Sequence, residues 1–182
     1  MTDPLALWHA EHVNFARLLE LLEAQLDCFH RGDAPDYEQM LDIMYYMTHN
    51  PDQLHHPRED VAFARIVARE PGVRAVVDEL LRQHESLRAR GEQLVHDLDG
   101  IIGGDVVPRE RVEGPGRDYI ASFRRHIDQE ETEIFPAAAR VLGAADWTAI
   151  GAAVAHRDDP LFGKTTEKRY AALSRQIARH AE

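Results

Sequence analysis

Apolar residues recur at intervals of three and four along four long stretches, the spacing that lines one face of an α-helix. Leu5, Trp8, Phe15, Leu19, Leu22 and Leu26 form the first stripe, which opens at Asp3-Pro4 and ends at Gly32-Asp33-Ala34-Pro35. A capping aspartate, a first-turn proline and a terminal glycine are the expected punctuation. A second helix is predicted over about 36–69, through Tyr37, Leu41 and Met44 to Phe63 and Ile66. Pro51 and Pro57 fall inside it, so a kink or short break is expected near Asn50. Val77, Leu80, Leu87, Gly91, Leu94 and Leu98 make the third stripe, closed by a glycine-rich loop over 100–107. The fourth should begin near Pro115 and carry Tyr119, Phe123 and Ile134 inward, with Pro136 kinking or ending it. Two smaller helices are predicted beyond Gly143, at about 145–155 and 164–180. Period-two alternation, the mark of a strand, is absent. The pattern predicts an all-α chain: an antiparallel up-down four-helix bundle over about 4–142 with two extra C-terminal helices, all in a single domain spanning 1–182.

These stripes are interrupted by polar residues in a repeating order. His12 and His84 sit at the centre of the first and third stripes. His55-x-x-x-Glu59 and His126-x-x-x-Glu130 sit on the second and fourth, and each glutamate is followed by another acid, Asp60 or Glu131. His12 precedes His55 by 43 residues and His84 precedes His126 by 42, so the chain reads as two similar halves. Residues four apart share a helical face, so each imidazole and its carboxylate point the same way. One imidazole on an apolar stripe is ordinarily a hydrogen-bonded core residue. Four imidazoles and two carboxylates converging with no lysine or arginine on the stripes are too costly to bury unless something holds them together. A metal centre does so: imidazole suits iron, zinc and copper, and carboxylates bridge pairs of hard cations. His12, His55, Glu59, His84, His126 and Glu130 are therefore the candidate ligands. Asp60, Glu131, His49, His56, Tyr46 and Tyr119 are candidates for supporting positions around them, whereas His9, His30, His96 and His180 fall outside the pattern and read as surface. His156 carries no clear assignment.

Of the two neighbouring acids in the fourth helix, Glu130 is favoured, because Glu59 also stands four after its histidine and a fifth position turns a further 100° or so around the axis.

Composition narrows the function classes. A balance of 21 basic against 32 acidic residues, net −11, argues against nucleic acid or an anionic membrane as partner. No apolar run is long enough to span a bilayer and no basic leader is visible. Cys28, the one cysteine, excludes an internal disulfide and fits a reducing compartment, so a cytoplasmic location is expected. Other metal readings fit less well. His84-Glu85-Ser86-Leu87-Arg88 lacks the second histidine of a zinc protease motif, and the Glu-x-x-His of ferritin-like bundles does not occur.

The order His12…His55-x-x-x-Glu59…His84…His126-x-x-x-Glu130, with His-His-Pro-Arg-Glu-Asp and the closing Glu-Glu-x-x-Ile-Phe-Pro, resembles the hemerythrin-like HHE cation-binding family over about 5–142. The resemblance implies two iron ions, oxo- or hydroxo-bridged, that bind or sense O2, NO or peroxide, or iron itself. Its enzymatic form would be a redox enzyme, or a repair protein donating iron to iron–sulfur clusters. A protein partner or a homo-oligomer is compatible with it. Oxygen-carrying members place a second histidine one turn away on the third helix, where this chain has Leu80 and Arg88. They also place an aspartate five after the last histidine, where this chain has Glu131. The set of four histidines and two glutamates is instead similar to the di-iron repair proteins and to eukaryotic iron-sensing hemerythrin domains.

Overall fold

The computed structural model describes residues 3–154 and 157–180, and the described residues are helical with no strand. Helix α1 (Pro4–Arg31) starts where Asp3 accepts a hydrogen bond from the Leu5 amide and stops at Gly32, left-handed at φ 76°. Asp36 caps α2 (Tyr37–Asn50) through the Gln39 amide. Instead of breaking at Pro51, the chain continues through one wide π-turn, Pro51–His55, into α3 (His56–Arg69). Helix α4 (Arg74–Ile102) runs through Gly100 and stops at Gly103, so the predicted loop over 100–107 begins three residues late.

The fourth rod starts at Glu113 rather than Pro115. It comprises α5 (Glu113–Gln129), a second π-turn at Glu130–Ile134, and α6 (Phe135–Val141). Pro115 is harmless in a first turn, where amides have no intrahelical acceptor in any case. Pro136 neither ends nor sharply breaks this rod. Both π-turns close with the amide of the residue just before a proline: His56 donates to Pro51 and Phe135 to Glu130. Pro57 and Pro136 lack an N–H and remove one α-bond each, and the widened turn takes up the resulting slack.

The C-terminal helices are α7 (Ala144–Ala153), packed on α3, and α8 (Ala171–His180), packed on α2. The last helix starts later than predicted, because the Asp159 carboxylate accepts from the Leu161 and Phe162 amides and holds a turn there instead.

The core is divided along the bundle axis. One apolar cluster includes Phe15, Leu22, Met44, Leu87 and Phe123; the other includes Trp8, Phe63, Leu80 and Ile134. Each rod crosses from one cluster to the other at its polar motif. His12 lies between Trp8 and Phe15, His84 between Leu80 and Leu87, and the fourth rod carries His126 and Glu130 between Phe123 and Ile134. The order reverses from rod to rod, which is the up-down alternation. At the packing of α4 on α2, a Cβ on Gly91 would stand 2.5 Å from Thr48 Cγ2 and 3.3 Å from Tyr119 Cε2. Glycine is required there by close approach.

Candidate metal centre

The layer between the two clusters gathers seven side chains. His12, His55, Glu59 and Glu130 form one group, and His56, Glu59, His84 and His126 another; within each, one donor atom per residue lies within 4.8 Å of the others. Glu59 belongs to both. Glu130 reaches both as well, its oxygens lying 3.4 Å from His12 Nε2, 3.4 Å from His126 Nε2 and 3.8 Å from His84 Nε2. Both glutamates are fully buried, and none of the seven is more than 8% exposed.

Each imidazole is held from outside by its Nδ1. Glu131 takes His12 at 2.9 Å, Glu11 takes His55 at 2.5 Å and Asp52 takes His56 at 3.0 Å. Asp60 takes His84 at 3.0 Å, and Gln83 Oε1 takes His126 at 3.1 Å. Ionised carboxylates only accept, so the Nδ1 atoms facing Glu131, Glu11 and Asp60 carry the hydrogen and each Nε2 faces inward, while Asp52 is pushed up to about 7 by burial. The Gln83 amide nitrogen donates to Glu79 and Gln129, which turns its oxygen toward His126 with the same result. An outer acceptor of this kind is what fixes a metal-ligating histidine and raises its basicity.

The inward atoms lack other partners. Nε2 of His56, His84 and His126 and all four oxygens of Glu59 and Glu130 are buried without a hydrogen bond. His12 Nε2 and His55 Nε2 stand 3.0 Å apart, two lone pairs facing each other unless a proton or a cation lies between them. Orphaned buried polar atoms are costly, and here they converge on one layer with the donor chemistry of a two-cation site. The residues fit a metal pair.

With protons in place of cations, the layer balances its own charge. Burial opposes charge on His12 and His84, but Glu130 and Glu59, with Asp60 for His84, outweigh it and hold both imidazoles up at about 10. Burial is the main force on His126 and pushes it down to about 4; His56 is lowered well below the usual value, also chiefly by burial. Burial works to raise Glu59 and Glu130, yet the imidazoles around them keep both carboxyls below their ordinary range.

Residues 3–138 match the family model described as the hemerythrin HHE cation binding domain. This chain belongs to the hemerythrin HHE family. No curated protein and no solved structure matches it. Its membership makes it one of a cation-binding family, and its own histidines and glutamates form groups able to hold metal ions. Among the described residues, no helix is long and apolar enough to cross a membrane.

The two halves of this HHE domain correspond beyond the donors. His12 pairs with His84, His55 with His126 and Glu59 with Glu130. The outer acceptors follow the same rule, Glu131 matching Asp60 and Glu11 matching Gln83. Rings stack alike: Phe135 lies on His12 with centroids 5.4 Å apart, and Phe63 on His84 at 6.0 Å. Phe63 follows its glutamate by four residues and Phe135 by five, and the second π-turn absorbs the difference.

His56 breaks the symmetry. The sequence pattern gives it a supporting position, but the structure turns its Nε2 into the same layer and stacks its ring on His84 at 4.1 Å. Its counterpart in the other half is Ile127. Asp60 and Glu131 accept from His84 and His12, while nothing in the sequence pattern singles out Glu11, Asp52 and Gln83. Glu131 also accepts from exposed His9 at 2.8 Å. His49 stacks on Tyr45 and bonds its carbonyl, away from the centre. Tyr46 donates its hydroxyl to Asp159 at 2.7 Å and so anchors the C-terminal segment instead. Tyr119 is buried beside Phe123, about two turns from the layer. His96 is exposed; the side chains of His30 and His180, and all of His156, lie outside the described residues.

Proposed function

We propose that this HHE domain holds two iron ions and binds or senses a small ligand, O2, NO or peroxide, with them. One observation carries the reading: the donor atoms of seven buried residues converge in two groups that share Glu59, and those of five of them, His56, Glu59, His84, His126 and Glu130, have no hydrogen-bond partner. His12, His55, His56, His84, His126, Glu59 and Glu130 would hold the ions, and both glutamates reach both groups. Bound iron would supply a redox-active Lewis acid for such a ligand. The protein makes the two positions unequal. Three imidazoles stand on the side of His56, His84 and His126, and two on the side of His12 and His55, where a small ligand would find more room. Trp8, Phe15 and Phe135 pack around those two imidazoles, Phe15 edge-on to His55 at 5.1 Å. An apolar wall beside the open position favours a small neutral ligand over bulk water.

The test is single-turnover mixing of reduced, iron-loaded protein with O2, NO and H2O2, followed by its optical spectrum. A stoichiometric spectral change with at least one of them supports the reading. No change with any of the three, with two irons bound, would exclude it. Continued consumption of peroxide or NO in the presence of a reductant would move the assignment to a redox enzyme working at the same site.

A further inference from the structure

A cavity of about 290 Å³ opens on the outer side of the centre, between the start of α3 and the middle of α4. Its inner wall is made by His56 and His84, two of the seven donors. Both are more than nine-tenths buried, and neither has a partner for Nε2. His84, at 8%, is the most exposed of the seven. Around the mouth stand Asp52, Asp60, Glu85 and Arg88, three carboxylates against one guanidinium. Two neighbouring cavities, one over Glu11 and Arg58 and one over Gln53 and Arg157, have none of the seven donors in their walls.

We infer that the cavity between α3 and α4 is the passage by which a divalent cation reaches and leaves the centre, with Glu85 drawing it in and Arg88 restraining it. This rests on the two-metal reading above. An acidic, partly enclosed mouth concentrates cations and turns away anions. The oxygens of Asp52 and Asp60 lie one imidazole's width from the inward donors, so a cation shedding water in the cavity meets carboxylate oxygen first and the centre next. Hard cations exchange hydration water for such oxygens readily. Asp52 and Asp60 also hold His56 and His84, so they cannot be altered without disturbing the donors. Glu85 and Arg88 are exposed, and it is Asp52 and Asp60 that hold the donors at this cavity, so the two outer residues can be changed.

The experiment is stopped-flow loading of the metal-free full chain with Co2+, read by cobalt absorption at low and high salt. Glu85→Lys should slow loading about threefold to tenfold at low salt, and Arg88→Gln should speed it. Both should reach the wild-type endpoint, and the differences should collapse at high salt. Arg157→Gln, a charge change at the two neighbouring cavities, should load at the wild-type rate. Wild-type rates in both Glu85→Lys and Arg88→Gln, with a normal endpoint, would overturn the passage while leaving the metal pair intact. An equal effect from Arg157→Gln would overturn it too, because the steering would then be the field of the whole surface. A wild-type chain that takes up no Co2+ would remove both the passage and the metal pair beneath it.

Discussion

At the scale of single residues, the centre depends on pairs in which an outer acceptor aims an inner donor. His56 is the sharpest case, because a uniform α-helix turns consecutive residues about 100° apart, yet His55 and His56 both deliver a nitrogen to the same layer. His56→Ala should lower metal content from two ions per chain toward one, whereas His96→Ala should leave it unchanged; metal analysis of the purified variants checks this. Titration of the metal-free layer gives a second expectation. His12 and His84, held near 10 against 6.5 for a free imidazole, contribute stability that is complete below pH 6.5 and lost as the pH rises toward 10. His126 and His56 are lowered in the fold, so their contribution is present above pH 6.5 and lost as the pH falls, toward about 4 for His126. Glu59 and Glu130, also lowered, lose theirs only at more acid pH, below the ordinary carboxylate value of 4.5. Asp52, pushed up to about 7 by burial, works against His126 and His56 over the acid range. The clear expectation is therefore on the alkaline side: the melting temperature of metal-free protein should fall from about pH 6.5 toward pH 10. A curve still rising at pH 9 would show that His12 and His84 are not charged in the fold.

At the scale of elements, the prolines announce a disturbance in the second and fourth rods without revealing its form. Pro51, Pro57 and Pro136 are as compatible with a break as with a widened turn, and only the packing of the two halves of each rod, one on each apolar cluster, decides for the latter. That is why periodicity alone gives His56 a supporting position, and why it does not single out Glu11, Asp52 and Gln83. Glu11 and Gln83 act across helices, so their roles depend on how the rods are rotated against each other, which periodicity does not encode. Asp52 stands four before His56 on the wide turn itself. Asp60 and Glu131 were legible because each adjoins an inward glutamate. Gly91 offers a test of close packing. Alanine is the better helix former by about 1 kcal/mol, but here its Cβ would meet Thr48, whose hydroxyl is tied to the Met44 carbonyl at 2.9 Å. Overpacking of this kind costs about 1–3 kcal/mol, so Gly91→Ala should lower stability in denaturant titration, against its propensity. An unchanged or raised midpoint would mean that α2 and α4 can separate without loss.

At the scale of the whole molecule, the chain is two apolar clusters joined by one polar layer, and the sequence displays this arrangement openly. The stripes of Leu19, Leu22 and Leu26 and of Leu94 and Leu98 run well away from the centre, so they should keep the metal-free chain helical. Two cations would replace the proton-balanced pairs in the layer and tie all four rods together. A ligand at a thousandfold excess over its dissociation constant stabilises by about 4 kcal/mol, which for a chain of this size is roughly 8–16 °C in melting temperature. Matched metal-free and iron-loaded samples at neutral pH should differ by that order, with similar helix content. The internal repeat made six of the seven proposed ligands visible in advance; the seventh, His56, belongs to the one place where the halves differ.

The most direct measurement is an anaerobic titration of metal-free protein with Fe2+, with bound iron quantified at each step. The seven-residue centre predicts saturation at two Fe2+ per chain, with proton release as charged His12 and His84 give up their protons to the incoming cations. Saturation at one ion, or no saturable uptake at all, would contradict it.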